Sequence, residues 1–247
     1  MSKVVLVTGS SKGIGAAIIE ELAIAGYDCV INYNSSIEEA IALHEKIKKY
    51  NVRSLVIKCD VSNEDEVNEM FNTIEKNLGG VDVLVNNAAI DIPNLFSRKT
   101  VSDFRKTLDV NLIGSYITAK RAYNHMMNKK WGRIINISST NGINTYYPMG
   151  LEYDASKAAL NSLTHNLAIQ FAPFVNVNAI APGLINTDNE IADYDEEFMQ
   201  TELDKILKRR IGEAKEVAKL VKFLISDDAD YINNSIIRID GGQYSSN

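Results

Sequence analysis

The sequence predicts an α/β protein: one doubly wound domain in which a mostly parallel, seven-stranded sheet carries helices on both faces. Short runs rich in valine and isoleucine alternate with helix-length amphipathic segments, which is the pattern of parallel strands joined by helical crossovers. The strand runs are almost wholly apolar, as expected where both faces of a sheet are buried. No internal repeat, low-complexity tract or Pro/Gly-rich linker interrupts this pattern, so we expect a single domain over residues 1–247.

The elements follow one another in regular order. A valine-rich strand comes first, and a glycine-rich turn leads from it into the first helix. Before the third helix, Ser62 and Asn63 offer capping side chains, and Glu64 and Asp65 place negative charge on the positive end of the helix dipole. The predicted strands cover residues 4–7, 29–33, 53–59, 81–86, 133–138, 175–180 and 235–239. The predicted helices cover residues 14–25, 37–50, 64–78, 104–127, 153–171 and 213–225.

One long segment, residues 186–210, has no clear place in this alternation. It carries an acidic patch formed by Asp193, Asp195, Glu196 and Glu197. Long insertions in compact domains are usually lids or binding loops. We therefore expect a lid or substrate-binding segment over this stretch.

The composition excludes several classes of partner. The 26 Lys and Arg residues against 32 Asp and Glu give a net charge of −6, and the basic clusters are short and scattered. Nucleic-acid backbones are bound by clustered cations, so we expect no nucleic-acid partner. No apolar run reaches the ~18 residues of a membrane span, and the first strand is too short for the core of a signal peptide. We expect a cytoplasmic protein with no membrane partner.

The metal-ligating residue types are dispersed along the chain. Cys29 and Cys59 make no CxxC pair, and His44, His125 and His165 have no ligand-like spacing. We expect no metal site, and we expect both cysteines to be buried, reduced residues of strand-like segments.

The turn after the first strand has the composition of a phosphate-binding loop. It reads TGSSKGIG over residues 8–15, between a predicted strand and a predicted helix. Glycines permit a tight turn and the close approach of backbone N–H groups to a pyrophosphate at a helix N-terminus. The spacing is GxxxGxG and not the commoner GxGxxG, and a plain strand-to-helix turn is the alternative interpretation. With its context, the turn favours a Rossmann-type dinucleotide-binding sheet.

The end of the second strand bears on the choice between nicotinamide cofactors. An acidic residue there would hold the ribose 2′-hydroxyl of NAD and repel the 2′-phosphate of NADP. The segment contains Asn34 and Ser35 but no carboxylate, and Asp28 lies at the opposite end of the strand. Because Lys12 in the glycine turn adds a positive charge, we favour NADP(H) over NAD(H). The alternative for Lys12 is a solvated loop lysine.

A tyrosine and a lysine four residues apart indicate proton-transfer chemistry. Tyr153 and Lys157 would share one face of a helix. A free tyrosine has a pKa near 10, too high for efficient proton exchange at neutral pH. An ammonium ~5 Å away, at an effective dielectric of ~20, would lower that pKa by roughly two units. The spacing therefore has a physical use.

The same spacing occurs twice, so the neighbouring residues must decide. Tyr116 and Lys120 form a second Tyr-x-x-x-Lys in the middle of a predicted helix. Upstream of Tyr153, a buried-looking strand ends in Ser138 and Ser139. Ligands of doubly wound sheets lie beyond the carboxyl ends of the strands. Tyr153 is therefore the predicted proton-transferring residue.

Taken together, these residues resemble the short-chain dehydrogenase/reductase family in its compact single-domain form. The motifs run in register over nearly the whole chain, and although each is weak alone, the set is very specific. They are Thr8-Gly9-x-x-x-Gly13-x-Gly15, Asp60-Val61, Asn86-Asn87-Ala88-Ala89, Asn111, Ser139, Tyr153-x-x-x-Lys157, Pro182-Gly183 with Thr187, and Asp240-Gly241-Gly242.

The resemblance implies roles for the matching residues. Tyr153 would exchange the proton and Lys157 would bind the nicotinamide ribose while lowering the tyrosine pKa. Ser139, favoured over Ser138 because it precedes the family's x-x-Gly, would hydrogen-bond the substrate carbonyl, and Asn111 would hold a proton-relay water. The implied cofactor site comprises Gly9, Ser11, Lys12, Gly13, Ile14, Gly15, Asn34, Ser35, Asp60, Val61, Asn87, Ala88, Tyr153, Lys157, Pro182, Gly183, Ile185 and Thr187.

The substrate is less well defined by the sequence. Within the family, the chain resembles most the 3-oxoacyl-acyl-carrier-protein reductases, so an NADPH-dependent carbonyl reductase acting on 3-oxoacyl thioesters is expected. Lys129 and Lys130 could contact an acidic carrier protein, but residues 170–174 offer no second basic site. A sugar or other small-alcohol dehydrogenase is the alternative, and a catalytically silent NADP(H) sensor is a third. Residues 146–149 could line an apolar substrate pocket, and ordinary loop packing is the alternative. The resemblance also implies a homotetramer or homodimer assembled through the two longest helices.

Overall fold

A central sheet of seven parallel strands organises the computed structural model, which describes residues 2–187 and 195–244. In chain order the strands are β1 (Val4–Val7), β2 (Asp28–Tyr33), β3 (Ser54–Lys58), β4 (Val83–Asn86), β5 (Gly132–Ile137), β6 (Val175–Pro182), β7 (Ile185–Asn186), β8 (Gly212–Glu213) and β9 (Ile236–Ile239). The sheet has the order β3-β2-β1-β4-β5-β6-β9, and β7 pairs with β8 in a separate ribbon. The strand order reverses at β1, because β2 and β3 lie on one side of it and the later strands lie on the other, so a crevice opens between β1 and β4 at the carboxyl ends of the strands.

Helices cover both faces of this sheet. They are α1 (Gly13–Ile24), α2 (Ile37–Ile47), α3 (Glu64–Leu78), α4 (Val101–Leu108), α5 (Gly114–Lys129), α6 (Leu151–Gln170), α7 (Glu196–Asp204) and α8 (Ala214–Leu224). Buried side chains of α1, α2 and α8 form one apolar cluster with the sheet, and those of α3, α5 and α6 form another. The predicted doubly wound, seven-stranded α/β fold is confirmed, and all seven strands of the sheet are parallel.

The alternation of side chains in β1 shows how the two cores are divided. Val5 and Val7 belong to the cluster under α1, α2 and α8, whereas Val4 and Leu6 belong to the cluster under α3, α5 and α6. Successive side chains of a strand point to opposite faces, so a strand that is buried on both sides needs an unbroken apolar run. All four residues are at most 2% exposed.

The prediction of one continuous helix over residues 104–127 is wrong in its middle. Helix α4 ends at Leu108, the segment Asp109–Ile113 is a π-helical turn, and α5 begins at Gly114. The wider turn accommodates Asn111, which is buried. Its Oδ1 accepts a hydrogen bond from the N–H of Ile90, and its Nδ2 donates one to the carbonyl of Ile90. Apolar periodicity does not register such an insertion, because the residues on either side remain helical.

Other boundaries shift by a few residues. Helix α6 begins two residues before Tyr153, and the predicted second helix is α2 followed by a 3₁₀ turn over Lys48–Tyr50. Asn63 caps α3, because its Oδ1 accepts hydrogen bonds from the N–H groups of Asp65 and Glu66.

The predicted lid is described only in part. Residues 188–194, including Asp193 of the acidic patch, lie outside the described residues. The remainder of residues 186–210 contains α7, with Asp195 as its N-cap and Glu196 and Glu197 in its first turn. The acidic residues therefore begin a helix and stabilise its N-terminus.

Neither cysteine takes part in a disulfide or a ligand cluster. Cys29 and Cys59 are buried free thiols, and burial raises the pKa of each to about 12. Within residues 2–187 and 195–244, no three His, Cys, Asp or Glu side chains are grouped as metal ligands. Nor does any helix in that part of the chain combine the length and apolarity of a membrane span.

Candidate active site

The glycine turn between β1 and α1 is fixed against the end of β4. Asn87 Nδ2 donates to the carbonyls of Thr8 and Gly9 at 2.9 and 3.0 Å. The Thr8 hydroxyl accepts from the N–H groups of Asn87 and Ala88 at 2.9 and 3.0 Å. Gly9 adopts a φ of +59°, which favours glycine. The turn is thus held in one conformation by the neighbouring strand end.

The space around this turn fits a bound pyrophosphate. A Cβ at Gly15 would lie 2.6 Å from Asn87 Nδ2 and 2.8 Å from the Gly9 carbonyl oxygen, so the helix can approach the turn only because residue 15 has no side chain. Lys12, Gly13 and Ile14, at the N-terminus of α1, line a cavity of about 320 Å³. A helix N-terminus facing an open cavity offers unpaired N–H groups and a positive dipole to an anion. The residues therefore fit a dinucleotide.

The end of β2 lies beside the same turn. Asn34 and Ser35 are exposed directly after the strand. Asn32, one residue inside it, is buried and accepts from the N–H of Gly9 at 2.9 Å. Asp28 begins the strand at the opposite end of the sheet and is paired with Arg53 at 2.6 Å. Among the described residues at the cofactor end of β2, the side chains are uncharged amides and hydroxyls.

Asp60 and Val61, two residues of the implied cofactor site, lie beside a further cavity. Asp60 lines a cavity of about 320 Å³ together with Val110 of the π turn. The Asp60 carboxylate accepts from both the N–H and the hydroxyl of Ser62. Val61 is buried, and Gly114 approaches it so closely that an added Cβ would lie 2.8 Å from its Cγ2. Asp60 is accessible from the cavity, whereas the Val61 side chain belongs to the packing beneath it.

Helix α6 brings the predicted proton-transfer residues to the cavity at the N-terminus of α1. Tyr153, Lys157 and Ser139 all line it, and the Lys157 ammonium lies 5.3 Å from the centroid of the Tyr153 ring. Lys157 Nζ donates to the carbonyl of Ile137 at 2.8 Å, which fixes the ammonium beneath the end of β5. The i, i+4 spacing thus places the cation against the phenol.

The two serines at the end of β5 differ in their surroundings. Ser138 is 3% exposed, and its hydroxyl donates to the carbonyl of Lys157 at 3.3 Å. Ser139 is half-buried, and its Oγ accepts from the N–H of Asn141 at 3.1 Å. An accepting Oγ can still donate its own hydrogen to a ligand. The geometry therefore favours Ser139 as the serine that meets a substrate.

The second Tyr-x-x-x-Lys pair lies on the protein surface. Tyr116 is 44% exposed on α5. Lys120 lies 5.9 Å from its ring centroid and is paired with Glu64 at 3.5 Å. Neither residue lines the cavities described above. The pair has the sequence spacing of Tyr153 and Lys157 without their surroundings.

A larger cavity of about 530 Å³ adjoins the first one, and the two share Tyr153 and Ala89. Tyr146, Tyr147 and Pro148 line it as the sequence suggested, whereas Met149 does not. Its other walls include Asn141, Thr145, Gly183 and Leu184, the α7 residues Phe198, Glu202 and Lys205, and Gln243 with Tyr244 near the C-terminus. Tyr153 therefore lies where the two cavities meet.

The remaining predicted cofactor residues differ in how far their side chains are exposed to the cavities. Pro182 and Thr187 line the smaller cavity, and Gly183 lines the larger one. The Ile185 side chain is 5% exposed and packs in the core, so only its backbone could reach a cofactor. Ser11 is half-buried within the glycine turn.

Several residues of the site gave little signal in the sequence. Thr8 and Asn32 hold the glycine turn, and the detectable sign of Asn32 was a single amide in an otherwise apolar strand. Lys99 and Glu152 form a buried ion pair beside the larger cavity. They are 53 positions apart in the sequence, so no local pattern could join them. Asp91 also lines this cavity, although no sequence motif pointed to it.

The fold and these cavities define a dinucleotide-binding α/β protein of the Rossmann type, with a tyrosine and a lysine at the carboxyl edge of the sheet. The family model described as short chain dehydrogenase matches residues 3–197. The chain belongs to this short-chain dehydrogenase/reductase family and is an NAD(P)-dependent oxidoreductase acting on CH–OH groups.

Its relatives span almost the whole chain. The chain is 40% identical to the 3-oxoacyl-[acyl-carrier-protein] reductase of Aquifex aeolicus, over 98% of this chain and 97% of that protein. It is 35% identical to glucose 1-dehydrogenase 2 of Bacillus subtilis, over 97% and 94%. A doubly substituted short-chain dehydrogenase/reductase of Serratia marcescens superposes with a TM-score of 0.91 at 31% identity, over 97% of both chains.

Replacing Gly15 by alanine tests the pyrophosphate cradle. The new Cβ would overlap backbone atoms of the turn, and overpacking of this kind costs about 1–3 kcal/mol, so we expect the affinity for NADPH to fall by roughly 5- to 150-fold. NADPH fluorescence titration measures it. Gly26→Ala is the matched control, because Gly26 has a φ of +86° with no atom within 4 Å. It should lower the melting temperature and leave NADPH affinity unchanged; unchanged affinity in Gly15→Ala would contradict the assignment.

Stability against pH tests the burial of Lys157. Burial lowers the pKa of Lys157 to about 8, from 10.5 in the unfolded chain. The buried ammonium therefore costs stability below about pH 8, and the cost is relieved as the pH rises toward 10.5. We expect Lys157→Met to be more stable than the wild type at pH 7 in the absence of cofactor, by an amount that shrinks by up to about 3 kcal/mol at pH 10.

Urea unfolding at pH 7, 8, 9 and 10 measures this difference. Lys120→Met is the control, because Lys120 is exposed in the second Tyr-x-x-x-Lys pair. Its stability difference from the wild type should not vary across this range as that of Lys157→Met does. A difference between wild type and Lys157→Met that stays constant from pH 7 to 10 would show that the lysine is not desolvated.

Proposed function

We propose that this protein is an NADP(H)-dependent carbonyl reductase or alcohol dehydrogenase in which Tyr153 is the general acid and base. The observation that carries the proposal is the position of Tyr153 at the junction of the two cavities, with Lys157 against its ring. Ser139, at the end of β5, lines the cofactor side of this junction.

The residues present fit a division of labour around the reacting carbon. A bound nicotinamide supplies or accepts the hydride. Tyr153 donates its phenolic proton to the carbonyl oxygen during reduction and takes it back during oxidation. The Ser139 hydroxyl donates a hydrogen bond to the same oxygen, which polarises the carbonyl. Lys157 holds the nicotinamide ribose and, as a cation, favours the ionised form of the tyrosine.

The return of the proton to Tyr153 is assigned to water held near Asn111. The Asn111 amide donates to the Ser156 hydroxyl at 3.0 Å and is paired with the backbone of Ile90. The π turn thus places a rigid polar group behind the proton-transfer helix. The Ser156 hydroxyl also donates to the Tyr153 carbonyl at 2.7 Å.

NADP(H) is proposed over NAD(H) on the charge of the adenosine end. Asn34 and Ser35 are exposed, uncharged hydrogen-bonding residues directly after β2, and Lys12 is exposed at the N-cap of α1. A 2′-phosphate there would meet donors and a cation rather than a carboxylate.

The substrate has two candidates. The relatives named as 3-oxoacyl-[acyl-carrier-protein] reductases favour a 3-oxoacyl thioester, and the relative named as a glucose dehydrogenase favours a sugar. Docking of an acyl carrier protein draws little support from the surface. Lys129 is paired with the buried Asp82, and the Lys130 ammonium lies over the Phe174 ring at 5.8 Å from its centroid, so both lysines already have partners within the protein.

We also propose a cytoplasmic homotetramer or homodimer with one domain and a lid over residues 186–210. NADP(H) and the two free thiols suit a reducing compartment. Exposed apolar side chains on the α4–α5 and α6 surfaces, among them Ile113, Tyr116 and Ile169, would be covered by a second copy. Light scattering on the purified protein measures the assembly.

Replacing Tyr153 by phenylalanine tests the proton-transfer assignment. Removal of a general acid lowers turnover by about 10²- to 10⁴-fold, so we expect this loss in NADPH-dependent reduction of carbonyl substrates, with NADPH affinity retained. Tyr116→Phe is the matched control and should keep wild-type turnover. Loss of activity in Tyr116→Phe instead, or tight NADPH binding by a wild type that reduces no carbonyl compound, would refute the proposal and favour a silent sensor.

Replacing Asn34 by aspartate tests the cofactor preference. We expect the wild type to use NADPH with a higher kcat/KM than NADH. A carboxylate at the end of β2 would repel the 2′-phosphate. We therefore expect Asn34→Asp to lower the affinity for NADPH at least about tenfold, which corresponds to about 1.4 kcal/mol of binding free energy. Steady-state kinetics with both cofactors measure the ratio, with Glu38→Gln as a surface control. A wild type that prefers NADH would contradict the assignment.

A further inference from the structure

We infer that the substrate is polyhydroxylated, a sugar or a polyol, and that the carboxylate of Asp91 accepts a hydrogen bond from one of its hydroxyls. The inference rests on the proposed carbonyl/alcohol chemistry at Tyr153 and specifies its substrate class. Asp91 lines the larger cavity together with Tyr153.

The backbone on both sides of Asp91 is fixed. The N–H and carbonyl of Ile90 are both hydrogen-bonded to the amide of Asn111, at 2.8 and 2.9 Å. The carbonyl of Ile92 accepts from the Lys99 ammonium, which also pairs with Glu152. Asp91 is therefore presented from a rigid loop, as a group that recognises a ligand must be.

The Asp91 carboxylate accepts a hydrogen bond from the N–H of Ile92, but it has no side-chain partner of the kind that other carboxylates nearby possess. Asp154 accepts from the N–H of Tyr147 at 3.0 Å and from Asn141 Nδ2 at 2.7 Å, and Glu202 is paired with Lys205. Within residues 2–187 and 195–244, Asp91 forms no salt bridge and accepts from no other side chain.

Asp91 is exposed on the wall of the cavity, where its carboxylate has room to accept further hydrogen bonds. Partial burial raises the pKa of the Asp91 carboxyl, the negative charge of Glu152 adds to the effect, and Lys99 and the hydrogen bond from the Ile92 N–H oppose it. A ligand that fills the cavity displaces water from this carboxylate, and a hydroxyl of the ligand replaces the hydrogen bonds that the water made. The cavity thus carries a built preference for a ligand with donor groups beyond the reacting carbon.

The two substrate candidates differ sharply at this position. An acyl chain would cover Asp91 with methylene groups, removing its remaining water and offering no donor in return. A sugar or polyol offers several hydroxyl donors, and the rings of Tyr146 and Tyr147 give its C–H faces an apolar wall. An ammonium group would also pair with Asp91, but Lys205 lines the same cavity and Lys99 lies behind the carboxylate. Neutral donors suit this mixture of charges better.

The chemistry of the reaction is unchanged by this role. In the oxidising direction the carbinol carbon loses its hydrogen with two electrons to the oxidised cofactor, and the hydroxyl proton passes to Tyr153 as the C=O bond forms. Asp91 binds a different hydroxyl and exchanges neither proton nor electron.

The test compares two substrate classes in one enzyme preparation. Oxidation of aldohexoses and hexitols with NADP⁺ is measured beside oxidation of cyclohexanol and reduction of an acetoacetyl thioester with NADPH. We expect the wild type to prefer the polyhydroxylated class in kcat/KM. Asp91→Leu should lower kcat/KM for that class by about 10- to 100-fold, the range for a charge-assisted hydrogen bond, and leave or raise the values for the others. Asp91→Asn, which keeps an acceptor oxygen, should lie between wild type and Asp91→Leu.

The ratio of the two kcat/KM values is independent of the folded fraction, so partial misfolding of a variant does not obscure the result. Asp154→Asn is the matched control for a carboxylate that only holds its loop, and it should lower kcat/KM for both substrate classes by the same factor. The inference is overturned if Asp91→Leu also lowers kcat/KM for both substrate classes by the same factor. It is also overturned if the wild type prefers the thioester, cyclohexanol or an amino alcohol. Failure of the proposed function has a different signature: no member of either class is turned over, or Tyr153→Phe retains activity, and the inference falls with it.

Discussion

The hydrogen bonds between the glycine turn and the end of β4 are the constraint on which the rest of the site depends. Thr8 and Asn87 exchange hydrogen bonds between the ends of β1 and β4, where the strand order of the sheet reverses. From there the chain continues through Ala89 to Ile90, which is bonded to Asn111, and Asn111 is bonded to Ser156 on α6. Hydrogen bonds and the short backbone segment between Asn87 and Ile90 thus connect the glycine turn with the helix that carries Tyr153. Because each bond uses a buried group, loss of one partner would leave the other unsatisfied.

A second polar network fixes the sheet beneath α6. Asn86 Nδ2 donates to Asn136 Oδ1 at 2.9 Å, and Asn136 in turn donates to the Thr164 hydroxyl at 2.9 Å. Asn86 also accepts from Thr118 on α5 at 2.7 Å. All four residues are buried, so the network costs little only because its members satisfy one another. It joins β4, β5, α5 and α6, and it thereby fixes the depth at which Lys157 emerges below the end of β5.

The sequence was sufficient for features that depend on local pattern. Unbroken apolar runs predicted the parallel strands, and the reasoning that ligands meet strand ends separated Tyr153 from Tyr116, which the structure places on the surface. The π turn around Asn111 escaped prediction because inserting one residue into a helix leaves the apolar period almost unchanged on either side. The ion pair of Lys99 with Glu152 escaped because it joins residues that only the tertiary fold brings together. Sequence motifs therefore predicted the class of reaction. The residues that line the larger cavity could not be predicted in the same way, because only the tertiary fold brings them together.

The two cavities draw their lining residues from different parts of the fold. The smaller cavity is lined by the N-terminus of α1, by residues at the ends of β4, β5 and β6, and by Tyr153 and Lys157 of α6. Much of the larger cavity is lined by loop residues, by α7 and by residues near the C-terminus. Substitutions there can change the accepted molecule without moving the turn or Tyr153. Asn111 is the exception, because the one amide that fixes the loop before Asp91 also supports Ser156 behind the tyrosine. If Tyr153 and Asp91 act as proposed, proton transfer and substrate choice are mechanically joined at Asn111, and side chains of the Asp91 loop can vary while its backbone position stays coupled to α6.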